Sequence, residues 1–301
     1  MKGIDVSRHN GTVNWGMVDA SGIDFVLVRA GYGNDISQKD QKFDENVKGA
    51  LAHKLFVGAY WFSYAISVED AKKEAEVCKK VLSAYRGKLT FPVAFDYEYA
   101  SMEYAKKKGI PPTNQLIDAI ARAFLDSMKQ DGWFVCLYTN QDFIRSGKFT
   151  SETIQKYDLW LADYSGPPDY PCGIQQTGNT GSVPGIDGNV DLDISYRDYP
   201  TIIKSGGYNG FPKMPSTAVA IDTTMDISLA HGQYYVVKTT ANQTVTLTAG
   251  TSGVVTVVRF PRTGNDQLFA LVAIGTSGQA TGIYTAAGEE SPLKRFVVKI
   301  K

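Results

Sequence analysis

Two carboxylates stand one residue apart in the segment "FPVAFDYEYA", at Asp96 and Glu98. The apolar residues before them have the length and composition of a strand buried on both faces, as in a parallel sheet covered by helices. Residues i and i+2 of a strand project to the same side, so the two acids face one way, with Cα atoms about 6.6–7 Å apart. Two desolvated like charges resist joint ionisation, which predicts that one of them holds a proton and acts as an acid.

This pair suits glycoside hydrolysis, in which one acid protonates the leaving oxygen and one carboxylate stabilises positive charge. The alternative is that both are helix-capping or surface ion-pair acids near the lysines at 106–108. Asp5 in "GIDVS" and Asp191 in "VDLDIS" favour the first interpretation. The first and last strands of a closed barrel are neighbours, so all four carboxylates are expected to converge on one mouth.

Aromatic residues cluster near the predicted strand ends. Sugar rings present C–H faces that stack on aromatic side chains, and tyrosine hydroxyls form hydrogen bonds. Any one of these residues is better explained by the core, but as a set they favour a saccharide groove, in which we expect Trp160 to bind substrate. The set comprises Tyr60, Trp61, Tyr64, Tyr97, Tyr99, Tyr138, Trp160 and Tyr164.

The elements that position these residues alternate between short apolar strands and helical patterns. The segment "VEDAKKEAEVCKKVLSAY" (68–85) carries one helical stripe, and "TNQLIDAIARAFLDSMKQDG" (113–132) has an N-cap candidate in Thr113 and a stop at Gly132. Five strand–helix alternations are followed by short strands with little helix between them. The fold class predicted is α/β, a parallel-dominated barrel over residues 1–200 with an incomplete ring of helices.

The character of the chain changes near residue 200. Residues 201–215 are rich in Gly, Pro and Ser, which predicts a linker. Residues 216–301 contain seven short β-branched or aromatic runs broken by Gly, Asn and Pro. This pattern predicts a small all-β domain, either a sandwich or a barrel.

Composition excludes several classes of function. The 301 residues are 43% hydrophobic and 21% charged, and the formal net charge is zero, so we expect no nucleic-acid partner. No apolar run approaches the roughly 20 residues that span a bilayer, and "MKGIDVSRHNG" lacks the pattern of a signal peptide. The three cysteines have no metal-binding spacing; we predict reduced, mostly buried thiols, with no metal site and no cofactor.

The chain resembles the family 25 glycoside hydrolase lysozymes from residue 2 to about residue 198. The segments that carry the resemblance are "KGIDVSRHNGTVNW", "FVLVRAGYG", "VGAYWFSYA", "PVAFDYE", "LYTN", "LWLADY" and "GIDGNVDLDIS". The resemblance implies an irregular barrel of eight strands and about five helices. It also implies cleavage of the β-1,4 bond between N-acetylmuramic acid and N-acetylglucosamine in peptidoglycan.

The resemblance also implies roles for individual residues. Glu98 matches the general acid/base, and Asp96 matches the partner carboxylate, which steadies an intermediate formed by the substrate's 2-acetamido group or serves as nucleophile. Asp5 and Asp191 match two further acids that flank the cleft, and Tyr60 and Tyr138 match tyrosines that line the groove. Gln175 stands in a strand where the family often has Trp-Gln-Tyr, but the neighbours of Gln175 depart from that string.

A lysozyme barrel followed by a β domain is similar to phage endolysins of Gram-positive hosts, in particular clostridial phage endolysins. That similarity implies synthesis in the host cytoplasm, action on the wall after release, and wall binding by residues 216–301. Self-association through an edge strand of the β domain is left open. The alternatives to a muramidase are a chitinase-like glycosidase, a divalent-metal enzyme and a non-catalytic wall lectin.

Overall fold

The structure, a computed structural model, describes residues 1–212, 219–287 and 291–301. Two compact units are present, Met1–Pro212 and Lys213–Lys301. Cys78 and Cys136 are buried and Cys172 is half-buried, and all three are free thiols, as predicted. Among the described residues, no helix combines the length and the apolar composition needed to cross a bilayer.

The first unit is a closed barrel of eight strands in the order of the chain, which confirms the predicted fold class. The strands are β1 (Lys2–Val6), β2 (Phe25–Tyr32), β3 (Phe56–Phe62), β4 (Val93–Asp96), β5 (Val135–Asn140), β6 (Asp158–Ala162), β7 (Ile174–Gly181) and β8 (Val190–Ser195). Strands β1 to β7 pair in parallel, whereas β8 runs antiparallel to both of its neighbours. The connection from β7 to β8 contains no helix, and a short connection can join only antiparallel strands.

The first unit contains eight α-helices, of which five have eight or more residues. They are α1 (Trp15–Ala20), α2 (Phe43–Ala52), α3 (Val68–Leu82), α4 (Tyr99–Lys107), α5 (Asn114–Gln130), α6 (Gln141–Arg145), α7 (Ser151–Lys156) and α8 (Tyr199–Gly206). Thr113 caps α5 as predicted, since its side chain accepts a hydrogen bond from the N–H of Leu116. Helices α4, α6 and α8 were not predicted from the sequence.

The inside of the barrel is apolar at the end opposite the acids. Phe25 and Phe91 stack there with ring centroids 4.3 Å apart, and Tyr199 lies 5.2 Å from Phe91. Gly3 makes this packing possible, because a Cβ at that position would stand 2.3 Å from the Phe25 ring. A separate core lies between the strands and the surrounding helices, with residues such as Val57 on the outer side of the barrel wall. The barrel is therefore a filled core with an opening at one end.

Residues 199–212 close the apolar end of the barrel. The prediction of a linker over residues 201–215 does not hold for residues 201–212. Residues 201–206 are helical, and residues up to 212 belong to the first unit. Residues 213–215 lie outside the described residues. Asp198 caps α8, and Gly207 ends it with a left-handed backbone, φ +70°. Tyr199 and Ile203 are fully buried, so the Pro- and Gly-containing composition marks the two ends of a packed helix.

Asn209 fixes this closing segment to the barrel. Its side chain is fully buried and its backbone has φ +56°. Its Oδ1 accepts a hydrogen bond from the N–H of Phe134 at 2.8 Å, and its Nδ2 donates to the carbonyls of Leu89 and Phe91 at 2.9 and 3.1 Å. One side chain thus satisfies three backbone groups beside β4 and β5.

The second unit is a β-sandwich, the first of the two architectures that the sequence predicted. Its strands are β9 (Ala220–Ile221), β10 (Ile227–Leu229), β11 (Tyr234–Thr240), β12 (Val245–Ala249), β13 (Val255–Arg259), β14 (Asp266–Ala273), β15 (Ala280–Ala287) and β16 (Leu293–Ile300). The sheet orders are β10-β16-β15-β12 and β13-β14-β11-β9. Residues such as Val237, Leu271 and Phe296 form the core between the sheets. The seven predicted runs match seven strands, and the three-residue β10 was not predicted.

We predict that Asn209→Ala destabilises the barrel by about 3 kcal/mol, because buried backbone groups left without partners cost about 1–3 kcal/mol each. Urea unfolding followed by tryptophan fluorescence measures the barrel alone, since its residues include every tryptophan of the chain, Trp15, Trp61, Trp133 and Trp160.

Two comparison variants separate the causes. Asn209→Gly relieves the backbone strain but still loses the hydrogen bonds, so it should also destabilise. Lys54→Gly changes the other non-glycine residue with positive φ and should be neutral or stabilising. If Asn209→Ala unfolded at the same urea concentration as Lys54→Gly, the anchoring role of Asn209 would be wrong.

Candidate active site

Four predicted acids meet at the mouth formed by the carboxyl ends of β1 and β4. Asp96 is the last residue of β4, and Glu98 follows two positions later. Asp5 lies near the end of β1 and pairs directly with Asp191 of β8. Because β8 is antiparallel, its first residues lie at the end of the barrel where the other strands finish. The reversal of one strand is what brings Asp191 to the same opening as Asp96.

Asp96 is buried, with 5% of its surface exposed. Its Oδ1 has no hydrogen-bond partner in the protein. Burial and the nearby charge of Glu98 hold the pKa of Asp96 well above its usual range, and Arg29 acts in the opposite direction. An unpartnered buried carboxylate oxygen is costly to fold and is available to a ligand.

Glu98 is less buried than Asp96 and lines a cavity of about 860 Å³. It precedes α4, and its backbone N–H donates to the hydroxyl of Ser101 at 3.1 Å, which fixes the chain at the start of the helix. Burial raises the pKa of Glu98, as does the charge of Asp191, while a hydrogen bond to Tyr138 acts in the opposite direction. A carboxyl group with a raised pKa that faces a cavity is equipped to donate a proton.

Asp5, Asp191 and Asp193 form the other half of the acidic mouth. Burial is the main reason that the pKa values of Asp5 and Asp193 lie well above their usual range, and the charge of Asp191 adds to it in both. Burial also raises the pKa of Asp191, against a hydrogen bond with Asp5. Together with Asp96 and Glu98, these groups resist joint ionisation.

Arg29 supplies positive charge beside these acids. It forms an ion pair with Asp40, with an Nε–Oδ2 distance of 2.8 Å. Asp40 is itself held by the backbone N–H groups of Arg8 and Lys42 at 3.2 and 2.9 Å. Arg29 was not predicted from the sequence, although a single charge within the apolar run "FVLVRAG" was a usable signal.

The predicted aromatic residues divide into two layers. Tyr138 lines the cavity, whereas Trp160 is only 2% exposed and lies beneath it. The Trp160 ring packs edge-to-face on Tyr138 and Tyr60, with centroids 4.6 and 5.9 Å away, and its Nε1 donates to Asp193 Oδ1 at 2.8 Å. Trp160 therefore supports the tyrosines from below and does not form an open stacking surface.

Gln175 is not brought to the cavity, which corrects the predicted subsite contact. Its Nε2 donates to the carbonyls of Asp163 and Gly166, both at 2.7 Å, and its Oε1 accepts from Tyr196. Adjacent residues of a strand face opposite sides, so it is Gln176 that points into the barrel. There its Nε2 donates to Asp5 Oδ2 at 2.7 Å.

The cavity is lined by the last residues of β5 and β6, by the segments that follow β4, β5 and β6, and by one residue of β7. Its lining includes Tyr99, Asn140, Arg145, Tyr164 and Asn179. Within residues 1–212, 219–287 and 291–301, no group of three or more His, Cys, Asp or Glu side chains is arranged to hold a metal ion.

The family model of the glycosyl hydrolases family 25 matches residues 4–185. This chain belongs to that family. It is 29% identical over 199 residues to the autolytic lysozyme of Clostridium acetobutylicum, covering 64% of this chain and 55% of that protein. The chain thus spans about half the length of that curated relative.

Solved structures show the same fold. The modular autolysin LytC of Streptococcus pneumoniae, solved with a synthetic peptidoglycan ligand, is 26% identical with a TM-score of 0.58, covering 65% of this chain and 46% of that one. The catalytic domain of the endolysin ply40 of a Listeria monocytogenes bacteriophage is 20% identical with a TM-score of 0.55, covering 70% of this chain and 97% of that one.

The cost of burying these acids gives a prediction about stability. We expect Asp193→Asn to stabilise the barrel at pH 7 by about 1–3 kcal/mol, because it removes a buried ionisable group and keeps an acceptor for Trp160. The folded-state pKa of Asp193 is raised, so the stability of the parent falls as the pH rises above the unfolded value of about 4. The gain should therefore be near zero at pH 3.5 and grow toward pH 7.

Urea unfolding at both pH values measures this difference. Asp187→Asn, at an exposed acid, is the matched control and should change stability little at either pH. An equal gain for Asp193→Asn at pH 3.5 and pH 7, or no gain at pH 7, would contradict the assigned cost of burial.

Proposed function

We propose that this chain is an N-acetylmuramidase, which hydrolyses the β-1,4 bond between N-acetylmuramic acid and N-acetylglucosamine in peptidoglycan. The observation that carries the proposal is the placement of Glu98 and Asp96, side by side at the mouth of a family 25 barrel, with Glu98 facing a cavity. Family membership supports the class of reaction, and the acid pair supports the assignment of roles.

Glu98 is the proton donor in this proposal, because it is the member of the pair that reaches the cavity while holding a raised pKa. It protonates the glycosidic oxygen as the bond to the sugar C1 breaks. The resulting carboxylate then takes a proton from the water that attacks C1, which returns Glu98 to its starting state.

Asp96 is the charge-stabilising partner. It lies deeper than Glu98, and its unpartnered Oδ1 is free to meet the reacting sugar. It either bonds to C1 as nucleophile or accepts a hydrogen bond from the substrate's acetamido N–H while the acetamido oxygen attacks C1. We assign Asp5, Asp191, Tyr60 and Tyr138 to the walls of the same cleft.

We predict that Glu98→Gln folds normally and loses at least about a thousandfold in turnover of purified peptidoglycan, because removing a general acid costs orders of magnitude. Release of soluble muropeptides measures the rate. Glu103→Gln, at an exposed acid of α4 that pairs with Lys106, is the matched control and should keep full activity.

Two results would contradict the assignment. Normal turnover by folded Glu98→Gln would remove it from the mechanism. A wild-type chain that binds wall but releases no muropeptides would instead indicate the lectin alternative, and release of chitin fragments in preference to muropeptides would indicate a chitinase-like enzyme.

We further propose that the second unit binds the wall of a Gram-positive host and raises the local concentration of the barrel on its substrate. Its separate fold supports this division of labour. We also propose that this unit self-associates through the outer face of the β13-β14-β11-β9 sheet, which light scattering of the full chain would detect as a doubled mass. The support is a set of exposed apolar side chains on that face, Tyr234, Val236, Val258, Phe260 and Leu268.

The endolysin role is a further proposal, with synthesis in the host cytoplasm and action on the wall after release. It rests on the resemblance of the sequence to phage endolysins. Cells that produce the protein should lyse when their membrane is permeabilised, and lysis without permeabilisation would contradict this order of events.

We expect residues 213–301 to sediment with purified Gram-positive wall, and residues 1–212 to hydrolyse the same wall more slowly than the full chain. The cut belongs at 212, because a fragment ending at residue 200, the predicted end of the barrel, would divide α8 and remove Asn209. Residues 1–212 with Glu98→Gln serve as the control for binding by the barrel alone. If residues 213–301 stayed in the supernatant, the anchoring role would be wrong.

A further inference from the structure

Glu74 of α3 is a buried acid that no step of the proposed mechanism uses. It is only 1% exposed, and burial raises its pKa to about 8. Its Oε1 accepts a hydrogen bond from the backbone N–H of Tyr64 at 2.8 Å, and its Oε2 shares a hydrogen bond with the hydroxyl of Ser63 at 2.6 Å. Both partners are uncharged groups of one short segment, which follows the carboxyl end of β3.

This segment, residues 63–65, leaves the sheet where β3 ends at Phe62. Ser63 and Ala65 are 0% and 1% exposed, so their polar groups have little access to water. The N–H of Ala65 donates to Ser63 Oγ at 3.2 Å, and the N–H of Tyr64 donates to Glu74. Glu74 thus supplies an acceptor that a neighbouring strand supplies elsewhere in the sheet.

Ser63 also holds the backbone of Asp96. Phe62 pairs with Asp96 in the parallel register of β3 and β4, and the next N–H along the chain, that of Ser63, donates to the Asp96 carbonyl at 2.7 Å. Ser63 therefore bonds to β4 through its N–H and to α3 through its hydroxyl. Glu74 and Asp96 are joined through this one residue.

The direction of the Asp96 side chain depends on its backbone. Its Oδ1 has no hydrogen-bond partner in the protein, so no such contact holds that oxygen toward the mouth. Asp96 is also the last residue of β4, where the strand pairing ends. We propose that Glu74 is a positioning residue: by holding Ser63, it fixes the backbone of Asp96 and aims the unpartnered carboxylate oxygen at the reacting sugar.

This inference rests on the proposed role of Asp96 as the charge-stabilising partner. A displacement of about 1 Å near the chemistry can cost about a hundredfold in rate. Asp96 acts on the charge that develops in the transition state, so its displacement should lower kcat and change KM little.

The test compares Glu74→Leu, which removes both oxygens, with Glu74→Gln, whose amide can accept from the Tyr64 N–H and donate to Ser63 Oγ. With soluble, uncross-linked peptidoglycan as substrate, we expect Glu74→Leu to lower kcat by about tenfold or more and to change KM by less than about twofold. Glu74→Gln should keep most of the wild-type kcat. An unchanged kcat in folded Glu74→Leu, or an equal loss in Glu74→Gln, would overturn the proposal.

Glu69→Leu is the matched control on the same helix. Glu69 is an exposed acid of α3 that pairs with Lys72, and its replacement should leave kcat and KM unchanged. A loss in Glu69→Leu as large as that in Glu74→Leu would show a general effect of α3 and would overturn the specific role of Glu74.

Ser63→Ala tests the route and decides the question if Glu74→Leu does not fold. The proposed link passes through the Ser63 hydroxyl, so Ser63→Ala should lower kcat in the wild-type chain and have little further effect in Glu74→Leu. Full kcat in Ser63→Ala, or additive losses in the double variant, would overturn the proposal.

Amide hydrogen exchange measures the link without turnover. The Ser63 N–H donates to Asp96, and the Ala59 N–H donates to the Pro92 carbonyl at 3.1 Å, at the other end of the same pair of strands. In Glu74→Leu the exchange rate of Ser63 relative to that of Ala59 should rise by about tenfold or more, whereas Glu74→Gln should leave the ratio unchanged. An unchanged ratio in Glu74→Leu would overturn the proposal.

The two proposals can therefore fail separately. A wild-type chain that cleaves no peptidoglycan, with the expected exchange rates in the variants, would overturn the muramidase and leave the anchoring of Asp96 by Glu74 standing. Normal cleavage by wild type together with full kcat in both Glu74→Leu and Ser63→Ala would overturn the role of Glu74 and leave the muramidase standing.

Discussion

Burial of several carboxyl groups at one mouth of a closed barrel is the constraint on which the rest of the structure depends. Below the mouth the barrel is filled with apolar side chains, so the acids have low-dielectric material on one side, and Glu98 borders a cavity. Their pKa values are raised because the charged forms lose water, and the group holds protons that isolated acids would release. A carboxyl group with a raised pKa is the form that the proposed proton donor, Glu98, requires.

The fold meets this constraint through strand direction and through a few polar contacts. Antiparallel β8 brings Asp191 to the mouth beside Asp5, and the Arg29–Asp40 ion pair places one positive charge near Asp96. Trp160 and Gln176 each donate a hydrogen bond to an acid of the mouth, Asp193 and Asp5 respectively. These hydrogen bonds are in place before any substrate binds. Preorganisation of this kind is what electrostatic catalysis requires.

The sequence predicted the barrel because its strands are short apolar runs between amphipathic helices, and the acid pair because two carboxylates interrupt such a run. It did not predict α8, since proline and glycine at the two ends of a short helix look like the composition of a linker. It chose Gln175 over Gln176, because a match to a motif does not determine which of two adjacent residues faces inward when a strand is irregular. The charge of Arg29 within an apolar run was visible in the sequence, but its pairing with Asp40 was not, because that pairing depends on tertiary structure.

We propose above all that the acid pair of this family 25 barrel cleaves the bond on the reducing side of N-acetylmuramic acid. End-group analysis of purified peptidoglycan, after digestion by the full chain and reduction with borohydride, identifies the bond that is cut. We expect muramitol to appear in step with the release of muropeptides. New glucosaminitol ends, or new amino ends with no new reducing sugar, would contradict it.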